Sequence, residues 1–280
     1  MASRDTSSAV ITTLDTEDGR EFIVNGRVKD LVDTIMGTSH ARFVAVMDMP
    51  MQFFIRPGGA LVLGMGSGSI ARNYSRQQWS IRAAEPDEGV IGMARDRFRI
   101  PLPESLIVHG DGRAFLERTE GNYGVILIDG ISSPALPAHL LTKEFFTLSG
   151  NHLSADGIVA VAVEAVGWND PFVHSLGRTM LQVFRQVLVL PITEPPNLFG
   201  SIVLLGTNAP RDLVRDPERN TFFHPDWRYG PEYQKGHAWD NRFPPDTLLG
   251  VVFTDHSSRR ALLLTRPADS AKVQPAQALP

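Results

Sequence analysis

The chain reads as an α/β protein built on a Rossmann-like, mostly parallel sheet, and three observations in its 280 residues carry that reading. Short apolar runs alternate with helix-compatible stretches from Ala60 to Gly206. The first run, Ala60-Leu61-Val62-Leu63, breaks into Gly64-Met65-Gly66-Ser67-Gly68. The next run, Trp79 to Ala84, ends in Glu85. Strands alternating with helices imply parallel strands joined by crossover helices. Glycines after the first strand let the backbone turn sharply and approach a ligand, and the helix that follows offers free N–H groups. An acid about twenty residues further on is placed to accept hydrogen bonds from ribose hydroxyls. The pattern predicts a nucleotide site.

Each element follows from its local pattern. Residues 9–28 hold two β-prone runs around Asp18-Gly19 and a second turn at Asn25-Gly26, which predicts a small antiparallel β element over residues 1–37. From Thr38 to Phe54 the apolar residues recur as in a helix, until Pro57-Gly58-Gly59 ends it. Strands are expected at Ala60–Leu63, Ser80–Ala84, Ser105–Val108, Val125–Ile128, Gly157–Val163, Val187–Pro191 and Ser201–Gly206. Helices are expected around Ile70–Gln77, Glu88–Phe98, Arg113–Arg118, Lys143–Leu153 and Pro171–Phe184. Roughly seven strands with helices on both faces make one domain over residues 38–207. Residues 208–266 form an extension, Pro-rich and aromatic to 246 without clear period, then a last short strand at Leu249–Phe253. Its aromatics, Trp227 and Tyr229 among them, either cover an exposed edge or a neighbouring subunit, or close a substrate pocket. The Ala/Pro/Gln-rich tail, 267–280, is expected to be disordered.

Composition narrows the function classes. A net charge of −4 and 21% charged residues give no footprint for nucleic acid or an anionic membrane. The chain has no cysteine, which excludes disulfides, thiolate zinc sites and cysteine nucleophiles and suits a reducing cytoplasm. The N-terminus lacks a signal-peptide pattern. The most apolar stretch, Gly157 to Val166, is short and carries Glu164, so it reads as a buried strand and not a membrane span. A cytoplasmic protein is expected. No histidines and carboxylates share metal-ligand spacing, and no metal is expected.

Ligands of an open parallel sheet bind at the carboxyl ends of its strands. Four such ends carry informative groups: Gly64, Gly66 and Gly68; Glu85, followed by Pro86; Asp111-Gly112 after SLIVHG; and Asp129-Gly130 after VILI. Taken singly, a loop aspartate is as often a helix cap. On one edge of one sheet, they read together as a site.

In this order, GMGSGS, AEPD, HGDGRAFL and VILIDG resemble the nucleotide-binding domain of spermidine synthase and its relatives, the aminopropyltransferase branch of the class I methyltransferase fold. The segment Asp129 to Phe146 is similar to spermidine-synthase-like proteins, including those fused to transporters, more than to true polyamine synthases. The N-terminal β element and the Thr254-Asp255 pair after the last run also fit that family. The resemblance implies that Glu85 binds ribose, Asp111 the adenine amine, the glycine turn with Ser67 the methionine-derived part, and that Asp129 is the general base. It implies S-adenosylmethionine or its decarboxylated form as co-substrate, a small-molecule acceptor, and a homodimer.

The departures from the family matter too. Where the turn of an aminopropyltransferase holds an Asp that pairs with the free amine of the decarboxylated donor, this chain has Ser67. The second Asp after the base is replaced by Ser132-Ser133-Pro134, the Tyr-His-Glu before the first strand survives only as His40, and an upstream glutamine is matched by Lys29. His40, Ser132 and His139 are therefore expected at the substrate pocket, with Trp227 and Tyr229. Polyamines need carboxylates or aromatic faces in compensation for desolvation. Methyl transfer to an acceptor of low charge is accordingly the first expectation, aminopropyl transfer to a polyamine the alternative, and a non-transferase role, in cyclisation of an apolar substrate or in binding, the third.

Overall fold

The apolar runs become a seven-stranded sheet whose side chains alternate between two cores. The computed structural model describes residues 1–6, 8–132, 136–192, 196–213 and 230–256. Four N-terminal strands, β1 (Ala2–Asp5), β2 (Val10–Asp15), β3 (Arg20–Val24) and β4 (Arg27–Val32), form an antiparallel sheet in sequence order. The main sheet comprises β5 (Gly59–Leu63), β6 (Ser80–Glu85), β7 (Ile107–His109), β8 (Tyr123–Asp129), β9 (Leu153–Val166), β10 (Gln186–Pro191) and β11 (Phe199–Thr207), ordered β10-β11-β9-β8-β5-β6-β7. Pairing is parallel from β7 through β9, and β11 runs antiparallel to both β9 and β10.

The expected fold class is the observed one, with the helices α1 (Arg42–Met47), α2 (Ser69–Arg76), α3 (Glu88–Asp96), α4 (Gly112–Arg118), α5 (Lys143–Asn151), α6 (Pro171–Met180) and α7 (Pro231–Asp240) on its two faces. Val62, Leu127, Ala160 and Val203 point to one core, shared with Phe43, Met47, Ile70 and Trp239 of α1, α2 and α7. Leu63, Ile128, Val161 and Leu204 point to the other, shared with Phe115, Phe145, Phe146 and Phe172 of α4, α5 and α6. This period-two partition explains why each strand reads as a continuous apolar run: both faces are covered. The small sheet has its own core, in which Phe22 meets Phe98 edge to face at 5.9 Å and Val90 and Met93 of α3 close the layer.

Four local expectations are corrected. The stretch from Thr38 to Phe54 is not one helix, because α1 stops at Met47 and a 3-10 turn, Met49–Phe53, follows with Pro50 at its start; proline has no N–H to continue the ladder. The edge strand expected at Ser105 begins only at Ile107, after a 3-10 turn at Glu104–Leu106. No strand forms at Leu249–Phe253. There the backbone amides of Val251 and Phe253 are taken by the Ser175 and Thr179 hydroxyls of α6, and Asp255 is held by Arg113 at 2.7 and 2.8 Å and by Thr142. Within the extension, α7 is regular structure where none was expected. Its buried residues, Gln234, Lys235, Gly236, Ala238 and Trp239, make no apolar stripe, so hydrophobic periodicity does not reveal it. The tail lies outside the described residues.

Candidate active site

The chain moves from β5 outward to β6 and β7, then returns to the other side of β5 as β8. That reversal opens a crevice between the carboxyl ends of β5 and β8, the place where open α/β sheets bind ligands. The glycine turn fills its floor. A Cβ on Gly64 would stand 2.9 Å from the Asp129 carbonyl oxygen, and one on Gly66 would stand 2.7 Å from Ser132 and 3.5 Å from Asp129 Oδ2. Gly64 and Gly66 also have φ of +85° and +51°, so glycine is required there by backbone conformation and by space.

Asp129 ends β8 and is buried. Its Oδ1 accepts hydrogen bonds from the Ile131 and Ser132 amides, both at 2.9 Å, while Oδ2 faces Gly66. Burial raises its pKa, opposed by the bonds from Ser132 and Ile131 and reinforced by the charge of Asp30. Glu85 ends β6, buried as well, and braces the turn by accepting from the Met65 amide at 2.8 Å and the Asp87 amide at 3.0 Å. Burial pushes its pKa up to about 7, against those two hydrogen bonds and with help from Asp87 and Asp129.

Asp111 is a helix cap that also lines the cavity. Its Oδ1 caps α4 at the Ala114 amide, 2.9 Å away, and its Oδ2 meets His139 Nε2 at 2.5 Å. Burial acts to raise its pKa, but the bonds from Ala114 and His139 outweigh it and hold the carboxyl below its ordinary range. Removing a cap of this kind costs about 1 kcal/mol. Asp111→Ala is therefore expected to unfold in urea with about 1 kcal/mol less stability, whereas Asp111→Asn, which keeps a capping oxygen, stays within a few tenths of the parent.

Ser67 is buried and faces the small sheet. Its hydroxyl donates to Asp30 Oδ2 at 2.5 Å, and Ser69 donates to the same oxygen at 2.6 Å, while Ser39 donates to Oδ1 at 2.5 Å. Asp30 comes from β4 of the small sheet and is 3% exposed. A carboxylate this deep must be satisfied by donors, and three seryl hydroxyls supply them. Burial still raises its pKa. The turn that lacks an acid in sequence thus has one behind it, delivered from another sheet.

Gly64, Gly66, Glu85, Pro86, Asp111, Gly112, Asp129, Ser132 and His139 line one cavity of about 130 Å³, with Asp87 and Ser8 beside them. Ser8 and Thr6 both donate to Asp87 Oδ2, so the N-terminal segment borders the cavity beside Glu85. Gly68 caps α2 with φ of +83° and serves the turn's geometry. His40 is not among the residues that line the cavity, and it is exposed. Trp227 and Tyr229 lie outside the described residues. Sequence reasoning missed Asp30, Ser39 and Ser69. The available signal was an aspartate inside a strand-like run, a residue depleted in strands. Among the described residues no cluster could hold a metal ion, and no helix is long and apolar enough to cross a membrane.

Residues 41–211, from α1 to just past β11, match the family model for the spermine/spermidine synthase domain. The chain belongs to the spermine/spermidine synthase family. Within it, a probable polyamine aminopropyl transferase of Bifidobacterium longum is 29% identical over 128 residues, 45% of this chain and 28% of that protein. The chain spans less than two thirds of the length of the curated relatives it matches. A probable spermidine synthase from Corynebacterium glutamicum superposes with a TM-score of 0.68 at 20% identity, covering 78% of this chain and 83% of that one. Human methyltransferase-like protein 13 superposes at 0.50 and 17% identity, covering 83% and 94%. Both likenesses speak for the fold, which the synthases share with class I methyltransferases.

Proposed function

We propose that this protein is an aminopropyltransferase that binds decarboxylated S-adenosylmethionine and transfers its aminopropyl group to an amine. The reading is the alternative of the sequence analysis, and it displaces methyl transfer. The family match supports it, as does the relative named a polyamine aminopropyl transferase. The observation that carries it is Asp30. Three buried acids, Asp30, Glu85 and Asp129, surround the glycine turn; Asp129 feels the charge of Asp30, and Glu85 that of Asp129. They accept hydrogen bonds from seryl hydroxyls and backbone amides. Such a site is complementary to a ligand with a sulfonium and an ammonium.

Ser67 is more than the neutral hydroxyl its sequence position suggests. A hydroxyl that donates to a carboxylate is polarised toward accepting, so Ser67 and Asp30 together make a partner for the donor's ammonium. Intact S-adenosylmethionine would bring its α-carboxylate to the same place, and like charges about 4 Å apart repel by about 4 kcal/mol at an effective dielectric of 20.

Glu85 would take the ribose hydroxyls and Asp111 the adenine amine. The acceptor's nitrogen lone pair attacks the propyl carbon bonded to sulfur; the N–C bond forms as the C–S bond breaks, and the bonding pair leaves on sulfur as the neutral thioether of methylthioadenosine. The nitrogen's excess proton passes to Asp129, whose burial-raised pKa makes it a stronger base. The sulfonium is already a good leaving group, so alignment supplies much of the rate.

Calorimetric titration tests the reading. The parent protein is expected to bind decarboxylated S-adenosylmethionine at least about 100-fold more tightly than the intact form, and Asp30→Asn to reduce that ratio to a few-fold. Equal affinity for both donors in the parent protein, or methylated amines as products from the intact donor, would overturn it.

A further inference from the structure

The strand that delivers Asp30 also delivers a cation to the same edge of the main sheet. In the pairing of β3 with β4, Val28 stands opposite Ile23 and Asp30 opposite Phe22, which leaves Lys29 as an extra residue in a β-bulge. A bulge bends its strand and re-aims side chains. Neighbouring residues that would alternate in a regular strand here both reach the main domain, one at the glycine turn and the start of α2, the other at β9. Asp30 meets Ser67 and Ser69, and Lys29 Nζ lies 3.3 and 3.2 Å from the two carboxylate oxygens of Glu164. The Lys29 side chain is 8% exposed and that of Glu164 29%.

Glu164 lies on β9, the strand next to Asp129. Asp129 is paired with Ala162, so Glu164 is two residues further toward the carboxyl end, on the same face as Ala160 and Ala162. Two residues of strand amount to about 6.6 Å. The ion pair therefore stands beside the base, on the side of the sheet covered by β4. An acceptor whose reacting nitrogen is at Asp129 and whose remainder runs along this edge of β9 would meet that pair.

This inference rests on the aminopropyl-transfer reading. A diamine bound there carries a second ammonium, which must exchange water for a carboxylate when it is buried. The acid standing next along the edge is Glu164, and Lys29 already neutralises it. We propose that Lys29 takes the place of an acceptor's distal ammonium, so that the acceptor is an amine with one cationic nitrogen, the one that reacts, and an uncharged remainder. Lys29 and Glu164 are then specificity-determining residues, and the cationic polyamines are excluded by a charge the protein itself supplies.

The test compares butylamine with putrescine, which share a four-carbon chain and differ in the distal ammonium. With decarboxylated S-adenosylmethionine and the 280-residue chain, methylthioadenosine release is expected to favour butylamine in kcat/KM by about tenfold or more. Lys29→Met frees Glu164 and is expected to reverse the preference by a similar factor. Lys29→Arg keeps the parent's preference, and Lys29→Met with Glu164→Gln shows none. Calorimetric binding of both amines to the methylthioadenosine-loaded protein reads the same ratios without turnover, and circular dichroism confirms that each variant folds. A parent that favours putrescine, or an unchanged ratio in Lys29→Met, overturns the proposal. The predicted switch in binding without turnover of either amine overturns the aminopropyl-transfer reading instead.

Discussion

Asp129→Asn is expected to lower kcat by about 10²–10⁴-fold, the range for loss of a positioned general base, while nucleotide affinity changes by no more than a few-fold. Asparagine keeps the Oδ1 that accepts from the Ile131 and Ser132 amides, so the loop after β8 retains its shape. What it loses is the anionic oxygen facing Gly66, the one proposed above to take the proton. Burial raises the Asp129 pKa, so its charge in the folded protein costs stability at neutral pH. Removing that charge is expected to leave the melting temperature unchanged or higher. Rapid-quench kinetics with thermal unfolding of the same sample checks both halves, and full turnover by a folded Asp129→Asn enzyme removes the base assignment.

The second large effect belongs to Glu85 and to pH. Its folded pKa of about 7 lies above the ordinary carboxyl value of 4.5. The folded protein thus binds this proton more tightly than the unfolded chain, and the group's contribution to stability falls as pH rises from about 4.5 to about 7, by about 3 kcal/mol in all. Binding runs in the opposite direction, because the ionised carboxylate is the stronger acceptor for ribose hydroxyls. Donor affinity is expected to climb by up to about tenfold per pH unit below pH 7 and to level off above it. Glu85→Gln should flatten that profile, weaken binding at pH 8 by about 1.5–3 kcal/mol, and unfold at higher denaturant than the parent at pH 8. Calorimetry and urea unfolding at pH 6 and pH 8 measure the two signs separately; a parent whose affinity does not change with pH places the ribose elsewhere.

The main sheet and its edge were legible because their signals are local. An apolar run covered on both faces, a glycine turn, and an acid at a strand's end are each written within a few consecutive residues, and parallel topology then gathers Gly64, Gly66, Glu85, Asp111 and Asp129 on one side. Reading failed where partners lie far apart in the chain. The segment Leu249–Phe253 has strand-like composition, yet its amides are taken by α6 hydroxyls. Helix α7 buries polar stems and one tryptophan, so it carries no period. His40 kept a family position in sequence but is exposed in the fold.

By itself, then, the sequence determined the doubly covered sheet, the glycine turn after β5, and the acids at the strand ends, since strand period and turn chemistry are short-range physics. The acid behind the glycine turn was decided only by tertiary structure. Ser67 taken alone argues for a neutral turn and an intact donor, but Asp30, 37 residues earlier, sits behind it, and a bulge turns Lys29 toward Glu164, 135 residues away. A buried carboxylate takes its donors from whatever the fold packs against it, and a contact between two sheets leaves no trace in the periodicity of either.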